Sequence, residues 1–507
     1  MEKQLMKDTG ISSTVLMENA GKNSADLISE IYYSESFSNV YIVSGKGNNA
    51  GDGFVAARHL CLYNIPVDII MLYTESELKG DALLNYNILK SSVSVKFTFS
   101  TLESFRKETS DCAGKTLIVD AIFGTGFKGE LPPHVNNAVQ IINKLKKKFI
   151  VSLDVPSGLY DHNKVSEMIK ADMTISMGTS KIESLFQIGK INSGEKIIAN
   201  IGIPSVDFDT YNKERIFLNE PKDFSGLINK RNKLSHKYKN GKVFVLAGSK
   251  NLSGAAVLCS ASALRTGSGA VILGFPESLY NIIGKRVKEV MSLPLPENGD
   301  GSVSKNGIKE ISEKINWCDS VLIGPGLSKN EDTSALISDI ILKNDKKMVV
   351  DADGIIGLKR SLHKLKKRKN KIIIAPHIAE FSRLINMEID EVEKDIFNIA
   401  KNFAKKYKLI LMLKNAPSII TDGENIIVNS TGKENLATAG TGDILSGITA
   451  SLYSNNDDAF AVASMASYIH GRCGDLLYSE FNDSSIIASD LLLKINEVKE
   501  ELGRAIC

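Results

Sequence analysis

The stretch NLATAGTGDILSG, residues 435–447, decides how this chain reads. A run of small residues leads into an aspartate, Asp443, and then into an apolar, helix-like pattern. Gly440 and Gly442 let the backbone approach a ligand closely, and its N–H groups can turn toward an anion. A helix opening at this point adds its positive N-terminal end. Asp443 then stands where a base could meet a hydroxyl beside a bound phosphate. Taken alone, the same letters also describe a helix start with Asp443 as its charge-complementary cap.

Outward from this turn, short runs rich in Val and Ile recur between Gly, Asp and Ser. They lie at residues 40–43, 67–72, 117–119 and 149–153, and again at 243–247, 270–273, 321–323, 348–350, 372–375 and 409–413. Helix-period segments such as 53–63 and 258–266 separate many of them. Continuous apolar strands alternating with helices specify buried parallel sheets, hence an α/β fold. The rhythm breaks between about residues 203 and 242, where Pro204, Pro221 and a mixed polar run intervene. A boundary near 212–222 divides the chain into domains spanning 1–215 and 222–505. At 507 residues there is enough chain for two cores.

Composition excludes several classes. A net charge of +3 exerts no strong pull on nucleic acid or membrane. The lysine-rich run 364–371 reads as solvated surface. Six scattered cysteines, with no CxxC pair, argue against a zinc site or disulfide framework and fit a reducing cytoplasm. No run approaches the roughly 20 apolar residues that span a bilayer.

In the first half, GKGNNAGDGFVAARHL (45–60) follows a strand and opens a helix. Gly45, Gly47 and Ala50 satisfy the G-x-G-x-x-A dinucleotide fingerprint, and Glu75 lies near the end of the next strand. Asp52 opposes a pyrophosphate at this place, because it would stand in the first helical turn and anions there repel. Asn48 and Asn49 point instead to a neutral polar ligand or a cation. A polar loop capped by Asp52 is the purely structural alternative. VDAIFGTGFKGEL (119–131) and SLDVPSGLYD (152–161) occupy the same position in later βα units. Asn49, Asp120 and Ser157 could therefore converge as oxygen ligands for a hard cation. Lys128 and Asp154 are acid/base candidates.

Together these motifs, with MENAG at 17–21, resemble the YjeF-type N-terminal domain of the NAD(P)H-hydrate epimerases over about residues 5–210. The resemblance implies a Rossmann-like α/β sandwich with a potassium ion at Asn49, Asp120 and Ser157. It implies substrate contacts from Asn48, Asn49, Ala50, Gly51 and Asp52, from Gly124, Thr125, Gly126, Phe127, Lys128, Gly129 and Glu130, and from Asp154. Two departures are Ala50, where glycine is common, and MGTSKIES, which lacks a proline before Lys181.

In the second half GTGD has company. GSKNLSGAA (248–256), GPGLS (324–328), DADGI (351–355), APHIAEFSRL (375–384) and LKNAPSIITDG (413–423) each fall at a strand end. His377 alone would read as a loop histidine; beside Pro376 and three residues before Glu380 it becomes a ligand contact. The order and spacing resemble the ribokinase-like, ADP/ATP-dependent NAD(P)H-hydrate dehydratase domain over about residues 225–500. That resemblance implies substrate contacts from Ala255, Gly326, His377 and the catalytic Asp443. It implies nucleotide contacts from Lys414, Asn415, Ala416, Pro417 and Ser418, and from Glu434, Asn435, Leu436, Ala437, Thr438, Ala439, Gly440, Thr441 and Gly442. The chain departs from the family pattern at Asn415 and Ser418, and at Gly432, Lys433, Glu434 and Asn435.

Three functions compete. The first is a two-domain cytoplasmic repair enzyme acting on the hydrates NADHX and NADPHX. It would use K+ for epimerisation and ADP or ATP with Mg2+ for dehydration, work as a homo-oligomer, and bind neither nucleic acid nor membrane. The second is a small-molecule kinase, for a hydroxymethylpyrimidine- or sugar-like substrate, fused to a non-catalytic Rossmann-like module. The third is an NAD-binding regulatory protein.

Overall fold

The computed structural model describes residues 2–92, 97–111, 114–160, 167–228, 234–481 and 485–505. The chain divides into two compact units, Met1–Lys213 and Glu214–Cys507.

The first unit is a seven-stranded, wholly parallel sheet in the order β3-β2-β1-β4-β5-β6-β7. Its strands are β1 (Asn39–Ser44), β2 (Val67–Met71), β3 (Phe97–Ser100), β4 (Thr116–Ala121), β5 (Lys148–Leu153), β6 (Met173–Met177) and β7 (Glu195–Ala199). Every residue of β4 is buried, as the continuous apolar run requires of a strand covered on both faces. The helices Ser13–Glu35 and Asn48–Leu62 pack on one face, around Phe54, Ala57 and Leu60. Strand order reverses between β1 and β4, and in open α/β sheets such a switch point opens a crevice beyond the carboxyl ends of the strands. Gly45 leaves β1 there; a β-carbon on it would fall 2.0 Å from the Ile122 carbonyl oxygen, so only glycine fits.

The second unit holds a ten-stranded sheet in the order β11-β10-β9-β12-β13-β14-β15-β16-β17-β8. Its strands are β8 (Ile216–Leu218), β9 (Lys242–Leu246), β10 (Ala270–Pro276), β11 (Met291–Leu295), β12 (Ser320–Ile323), β13 (Lys347–Val350), β14 (Ile372–Ile374), β15 (Ile410–Leu413), β16 (Ile419–Thr421) and β17 (Ile426–Val428). The sheet is parallel except where β16 pairs antiparallel with β15 and with β17. The helices Ser253–Thr266, Thr441–Asn455, Ala459–Phe481 and Ala488–Ala505 bury a common core against it, including Cys259, Ile444, Ile448 and Ile469. A fully buried Ile or Leu side chain contributes about 1.5–3 kcal/mol.

All ten apolar runs named from sequence are strands. The hairpin β16–β17, the strand β6 and the edge strands β3, β7, β8 and β11 lacked that signal, being short, broken by polar residues or interrupted by proline. Residues 216–218 pair with β17, so the segment between the expected domains belongs to the second sheet. Arg368, inside the lysine-rich run, is not solvated: its guanidinium donates to the carbonyls of Ile341 (2.8 Å) and Lys346 (2.6 Å). Cys259, Cys318 and Cys473 are buried free thiols, while Cys112 and Cys507 lie outside the described residues, as does Asp161. Among the described residues no helix is long and apolar enough to cross a membrane.

Candidate functional sites

A cavity of about 740 Å³ opens at the switch point of the first sheet. Its polar wall is Lys46, Asn48, Asn49, Asp52, Asp81, Asp154 and Lys181; Met6, Leu16, Met17, Ile201 and Phe208 form the apolar side. The helix after β1 begins at Asn48 with Gly47 as its N-cap. Asp52 is therefore one turn inside the helix rather than at its start, and it lines the cavity instead of capping a loop. Glu75, the acidic group a dinucleotide fingerprint needs, is engaged by Lys90 (2.8 Å) and Tyr86 (3.1 Å).

Asn49 is almost fully buried, and neither its Oδ1 nor its Nδ2 has a protein partner. Asp120, fully buried at the end of β4, accepts from Ser157 Oγ (2.5 Å), Ser157 N (2.8 Å), Ser152 Oγ (2.8 Å) and Ile122 N (3.2 Å). These donors are all neutral, and burial raises the Asp120 carboxyl above its ordinary range despite them. Ser157 Oγ also receives the Phe123 N–H at 2.9 Å.

Asp154 follows β5 in the left-handed region (φ 67°), and its Oδ2 accepts the Thr125 N–H at 3.1 Å. Its Oδ1 lies 3.2 Å from Lys181 Nζ, which also donates to the Met177 carbonyl. That Oδ1 has no hydrogen bond of good geometry, so the contact is an ion pair alone. Lys181, left without a role by its missing proline, is thus the lysine that meets Asp154. Lys128 is exposed and does not line the cavity, nor do Gly129 and Glu130. Gly124, Thr125, Gly126 and Phe127 do, with Phe127 stacked on Phe123 at 4.4 Å. Ala50 and Gly51 are buried behind the wall, Gly51 under the Met17 sulfur.

In the second unit the helix Thr441–Asn455 starts with Gly440 as N-cap (φ 94°) and no side-chain cap. Asp443 lies in its first turn but is not the cap. Burial first, then the Asp351 charge, lifts its carboxyl to about 7; Lys414 pulls the other way and Asp353 adds to the rise. Asp351, buried just past β13, takes Lys414 Nζ at 2.6 Å and Ser446 Oγ at 2.5 Å. Gly324 lets the chain after β12 close on this turn: a β-carbon there would fall 1.8 Å from the Asp351 carbonyl oxygen. Asp353 accepts the Ser328 N–H at 2.9 Å.

Lys414 follows β15 beside His377, and its N–H donates to the Pro376 carbonyl at 2.8 Å. His377 caps the helix Ile378–Ile385: Nδ1 accepts the Glu380 N–H (3.3 Å), and Glu380 answers at the His377 N–H (2.9 Å). With its side chain 48% exposed it still presents a face outward. Ala255 and Gly326 are brought together, a β-carbon on Gly326 falling 3.0 Å from Ala255 Cβ. Asn415, Ala416, Pro417 and Ser418 form the turn from β15 to β16. Glu434, Asn435 and Leu436 form one 3-10 turn, in which Asn435 Nδ2 donates to the Gly474 carbonyl while Oδ1 has no partner. Thr441 Oγ1 ties the loop shut by donating to the carbonyls of Leu436 and Thr438, both at 2.9 Å. Ala437 and Ala439 are exposed along it. Sequence reasoning gave no part to Ser446 or to His470. The latter is held neutral by burial, which takes it down to about 4, and its Nε2 has no partner. A lone histidine in an apolar helix carried no signal of this.

Two family profiles match the chain: YjeF-related protein N-terminus over residues 13–182, and NAD(P)H-hydrate dehydratase over 243–497. The bifunctional NAD(P)H-hydrate repair enzyme of Moorella thermoacetica is 31% identical over 488 residues, covering 95% of this chain and 91% of that one. The chain belongs to this family. The enzyme of the same name from Dictyoglomus turgidum is also 31% identical, over 98% of this chain and 97% of its own. Among solved structures, an ADP/ATP-dependent NAD(P)H-hydrate dehydratase from Bacillus subtilis, co-crystallised with ATP and Mg2+, matches with TM-score 0.50 and 25% identity. It covers 56% of this chain and 98% of that one. A ribokinase-like protein from Enterococcus faecalis matches with TM-score 0.50 at 19% identity, a likeness of fold. Family membership makes the chain a two-domain enzyme, a Rossmann-like unit followed by a ribokinase-like one. It removes the reading of a kinase fused to an inert module.

Proposed function

We propose that the first unit interconverts the R and S forms of hydrated NADH and NADPH, and that the second dehydrates the S form with ADP or ATP. The observation that carries the reading is Asp443, a carboxyl near 7 at the opening of a helix, with the Lys414 ammonium beside it. The C6 hydroxyl of the hydrate leaves poorly as hydroxide. Transfer of a phosphoryl group from the nucleotide to that oxygen makes a good leaving group, and elimination of phosphate with loss of the C5 proton restores the ring. With ADP the products are AMP, phosphate and the reduced cofactor. Asp443 accepts the hydroxyl proton during transfer, a task matched to a base titrating near the working pH. The N–H groups at the helix start and Lys414 hold the transferring phosphoryl group. Mg2+ would arrive on the nucleotide phosphates.

In the first unit, Asp154 and Lys181 serve a reversible opening of the hydrated ring. The C6 hydroxyl gives up its proton as the C6–N1 bond breaks, N1 takes up a proton, and reclosure on the other face of the C6 carbonyl yields the epimer. Asn49, Asp120 and Ser157 fit a potassium ion, since the Asn49 amide is buried without a partner and Asp120 is a buried carboxylate met only by neutral donors. The ion would supply a fixed positive charge at the end of β4. The reading extends to a cytoplasmic homo-oligomer. The test is direct: hydrated NADH is given to the purified chain with ADP or ATP, and reduced-nicotinamide absorbance is followed. S-hydrate should be consumed only with nucleotide, and R-hydrate should follow through epimerisation. No nucleotide-dependent recovery of NADH would end the proposal.

A further inference from the structure

Resting on the dehydratase reading, we propose that Asp351 is a positioning residue. Its buried carboxylate locks the Lys414 ammonium against the first turn of the Thr441–Asn455 helix, so that a nucleotide phosphate held by Lys414 arrives beside Asp443. The two carboxylate oxygens serve different elements. Oδ1 accepts Lys414 Nζ from the end of β15 (2.6 Å) and the Ala352 N–H (2.7 Å). Oδ2 accepts Ser446 Oγ at 2.5 Å. Ser446 lies three residues after Asp443, on the same side of the helix. A β-carbon built on Gly442 would stand 3.4 Å from Lys414 Nζ, which places the ammonium against the helix start.

An ammonium does not stay at such a place unaided. The helix start carries about half a positive charge, and a cation there is repelled. Partial burial adds to the cost: the Lys414 side chain is 21% exposed and that of Asp351 2%. The Asp351 carboxylate offsets both, and its hydrogen bond to Ser446 fixes the same carboxylate to the helix that carries Asp443. The arrangement keeps two positive features, the helix start and Lys414, aimed at one point before any anion binds. A phosphate entering there completes a charge pattern that Asp351 has already set.

The experiment compares Asp351→Asn and Ser446→Ala in the full chain, measuring epimerisation and dehydration on the same preparations. Asparagine keeps the shape and can still accept the Ala352 N–H, but it gives Lys414 no counter-charge. Asp351→Asn should raise the nucleotide KM and lower the dehydration kcat by about 100-fold, the scale of a misplaced reactant. Epimerisation should be unchanged. The acid limb of the dehydration profile should move to lower pH, because Asp443 loses a like charge. The other groups facing Asp443 are Asp353, Lys414 and the Cys259 thiol on the Ser253–Thr266 helix; neutral His470 on the Ala459–Phe481 helix lies by Thr441 and Lys414. Ser446→Ala keeps the charge, so kcat should fall severalfold with the acid limb unmoved. Wild-type kcat in Asp351→Asn, or a lowered kcat with an unmoved acid limb, overturns the proposal, the second result leaving Asp351 only a structural part. Should Asp351→Asn fail to fold, a Ser446→Ala enzyme indistinguishable from wild type overturns it. A wild-type chain that never dehydrates the hydrate would instead overturn the dehydratase reading.

Discussion

Asp120 and Asp351 stand at comparable places in the two units, each buried at the end of a central parallel strand. Their surroundings differ in kind. Asp120 meets two serine hydroxyls and two backbone N–H groups, with no ion pair among the described residues. Asp351 meets one hydroxyl, one N–H and the ammonium of Lys414. A buried carboxylate met only by neutral donors stays costly when ionised, and it favours a cation from outside. One paired internally with lysine has its charge answered, and the pair can instead present a cation to an incoming anion. On the proposed reading, the same residue type at the same kind of strand end serves a cation site in one unit and a phosphate site in the other.

The largest effect that would break this comparison is expected at Asp443. Asp443→Asn should lower nucleotide-dependent dehydration by about 10²–10⁴-fold and leave nucleotide binding and epimerisation in place. In the wild type, dehydration should fall as pH drops below about 7, since the carboxyl is then protonated and no longer a base. The sign reverses for stability. A carboxyl whose pKa is raised on folding favours the fold at low pH and loses that contribution as pH rises toward 7. Asp443→Asn should therefore melt later than wild type at pH 8, with the gap closing near pH 4 on calorimetry. A mutant within a fewfold of wild-type turnover would return Asp443 to a structural part.

A smaller effect sharpens the other side. Asp120→Ala or Ser157→Ala should weaken epimerisation by about 10–100-fold, the usual scale for altered metal sites, and leave S-hydrate dehydration intact. Replacing K+ by choline should slow wild-type epimerisation alone. If both activities fell together in a folded mutant, the two sites would not be separate.

The smallest effect concerns the division of the chain. Cutting after Lys213 should give two soluble pieces. Cutting after Pro221 instead removes β8 and Asn219, which hydrogen-bonds Asn429 and Ser430. The second piece should then melt a few degrees lower, as loss of a short edge strand implies. Equal melting from both cuts would show that β8 contributes nothing.

What the sequence determined by itself was the α/β alternation, the ten strands with continuous apolar runs and the glycine-rich turns after them. Those follow from burial on both faces of a parallel sheet and from backbone approaches that only glycine allows, both written locally in the letters. The motif order also named the family, because GNNxGDG, DxPSG, DADG and GTGD occur together. The partners of charged groups were decided only in three dimensions. Lys181 rather than Lys128 reaches Asp154 because β6 delivers it there, while the segment after β4 leaves Lys128 in solvent. Asp52 moved one turn into its helix because Gly47 took the cap. Asp351, Lys414 and Ser446 are up to 95 residues apart in sequence and meet within 2.6 Å. Strand order and the placing of a helix start, neither of which any local pattern encodes, fix which charges share a buried space.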